Sequence, residues 1–220
     1  MSLQEKLDAF KVDFEGKAPK QAVEIMHRAT AELIASGLAG QALKAGAVAP
    51  AFTLSEADGG SVASVDLLAR GPLVVSFYRG VWCPYCNIEL GALQETWPAI
   101  QATGAELVSI SPQSLANGRK AKRDKQIGFQ MLSDPGGEVA EAFGLLFRLP
   151  DDLITLYRSF GVDLPLINED PSWTLPMPAR FVIGPDGIIV YAEVSPDYTL
   201  RPDPTDLLPL LEQLQGSIAA

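Results

Sequence analysis

The stretch that most constrains this chain is Trp82-Cys83-Pro84-Tyr85-Cys86, which holds both of its cysteines. Two cysteines three residues apart in the middle of a helix have β-carbons about 5–6 Å apart, whereas a disulfide needs roughly 3.5–4.5 Å. The pair can therefore close only in the loosened first turn of a helix. Pro84 suits that position, since its missing N–H would have no partner there. The apolar segment from Leu73 to Tyr78 predicts a strand that leads into this helix.

A cysteine at the start of a helix has a distinctive chemistry. Unpaired N–H groups and the positive end of the helix dipole favour a thiolate, and such positions lower a cysteine pKa from ~8.5 into the range ~3.5–7.5. A thiolate attacks both disulfides and peroxides. A zinc site is disfavoured because it needs four ligands, and the chain has no further cysteine and only one histidine. Two inert core cysteines are the other alternative, but Cys-X-X-Cys between a strand and a helix favours redox chemistry.

The rest of the pattern predicts an α/β fold. We expect strands over residues 51–54, 73–78, 106–111, 129–132, 179–183 and 188–194, and helices over residues 84–100 and 206–214. The strand, helix and strand between residues 73 and 111 predict a parallel crossover. Gly184-Pro185-Asp186-Gly187 predicts a turn between two antiparallel strands. Together these elements predict one domain with a mixed central sheet and helices on both faces.

Two segments lie outside this core pattern. Residues 1–44 predict an N-terminal helical extension, whose second helix runs from Pro19 to about Leu43. Residues 45–220 then form the main domain, and within it residues 149–174, with several prolines and acidic residues, look inserted between core elements. We interpret His27, in the second helix, as a surface or core residue, and Trp173, in the insertion, as a packing residue.

Charge and hydropathy exclude several classes of partner. The formal net charge of -10 over 220 residues disfavours binding to nucleic acid, because that affinity comes largely from neutralised phosphates. The longest apolar runs are far shorter than the roughly 18 residues that a membrane span needs. The first residues have no signal-peptide pattern. We therefore expect a cytoplasmic protein that binds neither nucleic acid nor a membrane.

Several blocks of the sequence resemble one family. The segment from Trp82 to Cys86 resembles the active-site motif of the thioredoxin superfamily, and its Cys-Pro-Tyr-Cys is the glutaredoxin form. The order of the other blocks resembles the peroxiredoxins of the alkyl hydroperoxide reductase and thiol-specific antioxidant family, over roughly residues 46–195. The matching blocks are residues 46–54, 71–78, 86–90, 108–111 and 133–135, Ala140, Phe143-Gly144, residues 181–183 and Asp186-Gly187.

This resemblance implies a thioredoxin-like fold and a thiol peroxidase that needs no cofactor, with Cys86 on the position of the peroxidatic cysteine. The family has a proline seven residues before that cysteine and a threonine three residues before it, where this chain has Arg79 and Cys83. The family's distant arginine has its nearest counterpart in Arg180, two residues from the expected position. Pro178 stands where thioredoxins carry a cis-proline that faces the disulfide.

Our first hypothesis is a cysteine peroxidase. Cys86 attacks a hydroperoxide and becomes a sulfenic acid, which condenses with Cys83 to an intramolecular disulfide that thioredoxin, glutaredoxin or glutathione reduces. Arg79 or Arg180 would stabilise the thiolate and the leaving oxygen, and Glu89 would orient an arginine. The alternative for Glu89 is an acid that the helix dipole favours in the first turn. The alternative for Arg180 is a surface arginine on a strand.

Two other hypotheses stay open. A thiol–disulfide oxidoreductase would use Cys83 as the attacking thiolate, Cys86 as the resolving cysteine and Pro178 to shape the substrate groove. The Cys-Pro-Tyr-Cys motif favours this reaction, whereas the surrounding peroxiredoxin-like blocks favour the peroxidase. A redox-sensing module would use the disulfide as a switch, and the N-terminal helices or the insertion would contact a partner protein. The apolar surface of the N-terminal helices also suggests a homodimer.

Overall fold

Residues 1–218 are described by the computed structural model, in which helices and strands alternate along most of the chain. No helix among these residues is both long enough and apolar enough to cross a bilayer. The strands are β1 (Thr53–Glu56), β2 (Ser61–Ala63), β3 (Leu73–Phe77), β4 (Glu106–Ser111), β5 (Gln130–Ser133), β6 (Leu146–Arg148), β7 (Thr174–Pro176), β8 (Ala179–Ile183) and β9 (Ile189–Val194). The helices are α1 (Leu3–Lys17), α2 (Lys20–Ala35), α3 (Ser64–Leu68), α4 (Pro84–Ala102), α5 (Leu115–Asp124), α6 (Glu138–Ala142), α7 (Asp151–Ser159), α8 (Leu164–Asn168) and α9 (Leu208–Ile218).

Within residues 1–218, seven strands form one mixed sheet in the order β2-β1-β5-β4-β3-β8-β9. β3, β4 and β5 run parallel to one another, and the remaining neighbours pair antiparallel. Every residue of β3 is buried, as expected for a strand that is covered on both faces. The predicted parallel crossover from β3 through α4 to β4 is confirmed, as is the antiparallel pairing of β8 with β9.

Helices cover both faces of this sheet, because successive residues of a strand point to opposite sides. Val74 of β3 packs in a cluster with Leu90 of α4 and Leu211 of α9. Its neighbour Val75 packs on the other side, in a cluster with Phe143 beside α6. The predicted α/β architecture, with a mixed sheet between two layers of helices, is confirmed.

The bounds of the elements agree with the sequence pattern in the core and differ at the periphery. β4 and β8 have the predicted bounds, and α4 begins at Pro84 as predicted. The predicted second helix is too long, since α2 ends at Ala35 rather than near Leu43. Gly37 follows with a φ of 70°, a left-handed conformation that commonly ends helices. β2, α3 and α6 have only three to five residues, too few for a periodic pattern.

The N-terminal helices α1 and α2 precede the first strand and pack against the chain's own domain. Leu3 and Leu7 of α1 are buried in the cluster that contains residues of α4 and α9. A capping box between Ser2 and Glu5 starts α1, and α2 lies against α7. Since α1 uses its apolar residues within the chain, the surface that suggested a homodimer is largely covered, and dimerisation stays a prediction.

Residues 149–173 lie between β6 and β7, which pair with each other outside the main sheet, and Thr174, the last residue of the predicted insertion, is the first residue of β7. They contain α7 and α8 and form a small apolar cluster that includes Tyr157 and Trp173. Trp173 is buried, with the guanidinium of Arg158 5.0 Å from its ring centre, which agrees with a packing role. His27 is 55% exposed and lies 2.7 Å from Glu15, so it is a surface residue.

Candidate active site

The two cysteines lie where β3 leads into α4. β3 ends at Phe77, Cys83 caps α4, and Pro84 is its first residue. The turn between them depends on Gly80, which has a φ of 139°. A β-carbon at this position would lie 2.5 Å from Nε1 of Trp82, so only glycine allows the indole ring to lie against the turn.

Both thiols are free and buried, with exposed fractions of 2% for Cys83 and 0% for Cys86. They differ in their surroundings. Cys83 lines a cavity of about 260 Å³, whereas Cys86 lies in the core with Tyr78 and Leu90. A molecule that enters the cavity therefore meets Cys83.

The pKa values of the two cysteines are shifted in opposite directions. Burial raises the pKa of Cys83, but the Cys86 thiol and the positive charges of Arg79 and Arg201 outweigh burial and lower this pKa to about 6. Burial and the adjacent Cys83 raise the pKa of Cys86 well above its ordinary value, against the opposing charges of the same arginines. The first thiolate of the pair therefore forms on Cys83.

Arg79 lies beside this thiolate in a cage of aromatic rings. It is 2% exposed, and its guanidinium carbon lies 4.2 Å from the ring centre of Tyr198, 4.9 Å from that of Trp82 and 5.7 Å from that of Tyr157. It donates a hydrogen bond to the Tyr157 hydroxyl, while its Nε–H has no hydrogen-bond partner among the residues that the structure describes. Burial lowers the pKa of Arg79, but the neighbouring tyrosines and cysteines more than compensate and raise it. Arg79 is therefore a permanent buried cation at the cavity wall.

On the side of Cys86, Glu89 pairs with two buried arginines. Its carboxylate accepts a hydrogen bond from Arg180 at 2.9 Å and another from Arg201 at 2.7 Å. Arg201 also donates to Sγ of Cys86 at 3.9 Å. Arg180 is 1% exposed, so it is not a surface residue, and it also donates a hydrogen bond to the carbonyl oxygen of Pro202. The arginine that reaches a sulfur on this side is therefore Arg201.

Arg201 is absent from the sequence-based candidates. It follows Cys86 by 115 residues and stands in the segment after β9, between Leu200 and Pro202, where no motif marks it. Only the packing of this segment near the start of α4 brings its guanidinium to the sulfur. Sequence analysis also does not identify Tyr157 and Tyr198 as site residues, because no motif marks them; in the fold both lie against Arg79.

Pro178 is buried directly before β8, and its peptide bond is trans, because residues 1–218 contain no cis peptide bond. The cis-proline of thioredoxins therefore has no counterpart at this position. Pro178 lines a small cavity of about 20 Å³ together with Arg79, Tyr157 and Tyr198. Arg79 lines both this small cavity and the larger one at Cys83.

Half of the residues that line the larger cavity come from the N-terminal helices and the insertion. Its lining is almost entirely apolar or aromatic, and Arg79 is its one charged residue within the part of the chain that the structure describes. The N-terminal helices supply Phe10, Phe14 and Met26, the insertion supplies Tyr157, Phe160 and Val162, and the remaining lining comes from Arg79, Trp82, Cys83, Pro84, Tyr85 and Tyr198.

Comparison with known proteins points to one family. The sequence profile of the AhpC/TSA family matches residues 45–192, about two thirds of the chain. Over 146 residues the chain is 30% identical to peroxiredoxin Q, chloroplastic, of Oryza sativa subsp. japonica, which covers 66% of this chain and 57% of the rice protein. Over 103 residues it is 29% identical to peroxiredoxin Bcp of Escherichia coli strain K12, which covers 47% of this chain and 65% of that protein. The alignment thus spans a little over half of the rice protein's length.

Solved structures agree on the fold. The crystal structure of peroxidoxin BcpB from Mycobacterium tuberculosis matches with a TM-score of 0.61 at 20% identity, over 81% of this chain and 99% of that one. This likeness confirms the predicted thioredoxin-like fold. The matched residues include both cysteines and the strands from β1 into β9. As its sequence blocks predict, the chain belongs to the AhpC/TSA family.

Proposed function

We propose that this protein is a thiol-dependent peroxidase that reduces hydroperoxides with its Cys83 and Cys86 pair. One observation carries the proposal: a cysteine of lowered pKa lines a cavity, and a second cysteine follows three residues later at the start of α4. A thiolate in such a position is a nucleophile for peroxide oxygen. Membership of the AhpC/TSA family supports a peroxide as the electrophile.

The reaction has two chemical steps and a reduction. The thiolate attacks one oxygen of the hydroperoxide ROOH, so that an S–O bond forms, the O–O bond breaks, and the sulfur is oxidised by two electrons. The alkoxide takes up a proton from solvent and leaves as the alcohol. The second thiol attacks the sulfenic acid, which forms the disulfide and releases water. An external thiol, for which thioredoxin, glutaredoxin and glutathione are candidates, returns two electrons and restores both thiols.

We assign the first attack to Cys83. The family position assigns it to Cys86, but that sulfur is fully buried, has a raised pKa and does not line the cavity. Cys83 has the lowered pKa and the contact with the cavity. Cys86 is then the resolving thiol. Both orders lead to the same disulfide and differ only in which cysteine carries the sulfenic acid.

We further propose that the two groups of charged residues serve different cysteines. Arg79 stabilises the Cys83 thiolate and the leaving oxygen, since it is the cation at the cavity wall. Glu89 and Arg180 act as positioning residues, because Glu89 binds Arg201, which donates to the sulfur of Cys86, and Arg180 binds the same carboxylate. The charge of Arg201 favours Cys86 as a thiolate when the disulfide is cleaved.

Turnover tests the proposed reaction. One equivalent of hydrogen peroxide should oxidise both cysteines of each chain, and dithiothreitol should restore them over repeated cycles, as measured by thiol titration and by peroxide consumption. A redox sensor would oxidise once and recycle slowly. The double variant Cys83→Ser/Cys86→Ser is the control for peroxide consumed elsewhere. If the wild type consumes peroxide no faster than this control, the protein is not a peroxidase.

Removing the charge of Arg79 should make Cys83 less acidic. In Arg79→Met, the pH at which Cys83 is half ionised should rise by about one to two units from its lowered value, because an adjacent cation favours the thiolate by this amount. The measurement is the rate of alkylation of Cys83 by iodoacetamide against pH, followed by peptide mass mapping.

Two further variants separate charge from packing in this experiment. Arg79→Lys keeps a cation and should restore much of the wild-type profile. Arg158→Met removes another arginine that lies over an aromatic ring, that of Trp173, and should leave the profile unchanged. An unchanged profile in Arg79→Met would show that Arg79 does not set the acidity of Cys83.

Thiol–disulfide exchange is the second candidate, because a Cys83 thiolate in a Cys-Pro-Tyr-Cys motif also suits that reaction. It predicts that a small disulfide such as hydroxyethyl disulfide is reduced at a rate comparable with that of peroxide. The burial of both sulfurs disfavours a protein disulfide as the substrate.

A sensor that signals through its helices is disfavoured because α1 and α2 pack against the chain's own domain. For either reaction we propose the cytoplasm as the compartment, since dithiols are kept reduced there.

A further inference from the structure

The cavity at Cys83 has the properties of a preformed ligand-binding site. Residues of α1, α2 and α7 and the segment directly after α7 line one half of it, and the segment around the cysteines together with Tyr198 lines the other. Within residues 1–218, its wall contains one reactive sulfur and one cation, Arg79, which is 2% exposed and whose Nε–H has no hydrogen-bond partner there. The rest of the wall is apolar or aromatic. A ligand of this cavity should therefore combine an apolar body with a group that is anionic or reactive toward sulfur.

The size of the cavity limits what can reach the sulfur. Reduction of a disulfide requires a thiolate to approach one of its two sulfur atoms directly. Cys86 is fully buried, and Cys83 is 2% exposed and borders a space of about 260 Å³. A space of this volume suits a small molecule, and the burial of both sulfurs disfavours direct approach by the active-site loop of another protein.

Arg79 gains a role when the pair is oxidised. In the reduced protein the Cys83 thiolate lies next to its charge. In the disulfide neither sulfur is charged, so the buried guanidinium loses this anion, while its Nε–H already lacks a hydrogen-bond partner in the described part of the chain. A thiolate that enters the cavity supplies a negative charge to Arg79 in the same space that Cys83 lines.

A neighbouring cavity contains the kinds of charged side chain that the cavity at Cys83 lacks. This second space of about 250 Å³ is lined by Lys11, Glu15, His27 and Asp197, and it shares Phe14, Met26, Tyr85 and Tyr198 with the cavity at Cys83. None of these four charged or titratable residues lines the cavity at Cys83. A second charge on the ligand, such as a carboxylate of glutathione, would lose its hydration there without a paired group.

We propose that the cavity at Cys83 binds a small thiol with an uncharged apolar body, which reduces the Cys83–Cys86 disulfide, in preference to glutathione or a protein such as thioredoxin. This inference rests on the proposed function, because the disulfide is its substrate. The thiolate attacks the Cys83 sulfur, the S–S bond breaks, and Cys86 leaves as a thiolate and takes up a proton. A second thiol, from the same molecule or another, attacks the mixed disulfide and releases Cys83. Two thiols are thereby oxidised to one disulfide, and the cysteine pair gains two electrons.

The test uses protein whose disulfide has been formed with diamide, so that no peroxide reaction is needed. Ethanethiol, propanethiol and butanethiol share one kind of thiol and differ in apolar length. Their second-order rates of reduction should rise by about fourfold per methylene while the cavity accommodates the chain, since each buried methylene is worth about 0.8 kcal/mol. The readout is free thiol by alkylation and intact mass, and each rate is divided by that of the same thiol with hydroxyethyl disulfide. Butanethiol should also exceed glutathione and thioredoxin at equal thiol concentration.

A pair of variants checks that the chain-length effect arises in this cavity. Phe160 is 44% exposed at the cavity wall, so Phe160→Glu should place a carboxylate there and remove most of the dependence on chain length. Leu166, on α8, is 78% exposed and does not line the cavity, and Leu166→Glu should behave as the wild type. Equal rates for the three alkanethiols, or faster reduction by thioredoxin or glutathione, would overturn the inference and leave the peroxidase proposal intact. If diamide forms no intramolecular disulfide, both proposals fail.

Discussion

Replacing Cys83 by serine should slow the reaction with hydrogen peroxide by about a thousandfold or more, because a serine hydroxyl is not ionised at neutral pH. With a pKa of about 6, Cys83 is roughly nine tenths thiolate at pH 7, against about 3% for a free cysteine of pKa ~8.5. The wild-type rate should accordingly be nearly constant above pH 7 and should fall as the pH drops through 6 and the thiolate is protonated. Peroxide consumption in single turnover, measured against pH, gives both results.

The matched variant Cys86→Ser should keep the fast first step and lose the second. Its rate should stay within about tenfold of the wild type, since the Cys86 thiol is only one of the groups that lower the pKa of Cys83. The product should be a sulfenic acid on Cys83, which dimedone traps and peptide mapping locates. A fast reaction of Cys83→Ser, with the sulfenic acid on Cys86, would contradict this order and return the first attack to the family position.

Neutralising Glu89 should destabilise the protein strongly. Glu89→Gln keeps the shape of the side chain but leaves Arg180 and Arg201 without their shared carboxylate, and their side chains are only 1% and 2% exposed. Removing one partner from a buried ion pair costs about 3–5 kcal/mol, because the remaining charge has lost its hydration without compensation. Urea unfolding followed by tryptophan fluorescence measures this loss in the free energy of unfolding.

The same helix supplies a control for the substitution itself. Glu95 also lies on α4 and also pairs with a cation, Lys6, but its side chain is 71% exposed. Glu95→Gln should change the free energy of unfolding by less than about 1 kcal/mol, because water screens an exposed pair. Equal losses in the two variants would mean that the buried carboxylate is not needed to balance the two arginines.

Local patterns were sufficient to predict the elements that hold the cysteines. β3 is recognisable because burial on both faces favours a mainly apolar run, interrupted here only by Ser76, and the start of α4 is marked by Pro84 directly after Cys83. Both signals depend on residues that are adjacent in sequence. The end of α2 depends instead on the conformation of Gly37, and the short elements β2, α3 and α6 depend on their partners in the fold, so the sequence pattern missed them.

The candidate site also has some features that depend on adjacent residues and others that depend on tertiary packing. The Cys-X-X-Cys pair, its position at the beginning of a helix and the resemblance to the AhpC/TSA family can be read from the sequence, since these are properties of adjacent residues. In contrast, the packing of distant segments makes Cys83 and not Cys86 line the cavity, and it brings Arg201 to Cys86 from 115 residues further along the chain. The acidity of a thiol depends on burial and on distances to charges. The packing of α1, α2, α7 and the segment after β9 sets these quantities, and no local pattern contains them.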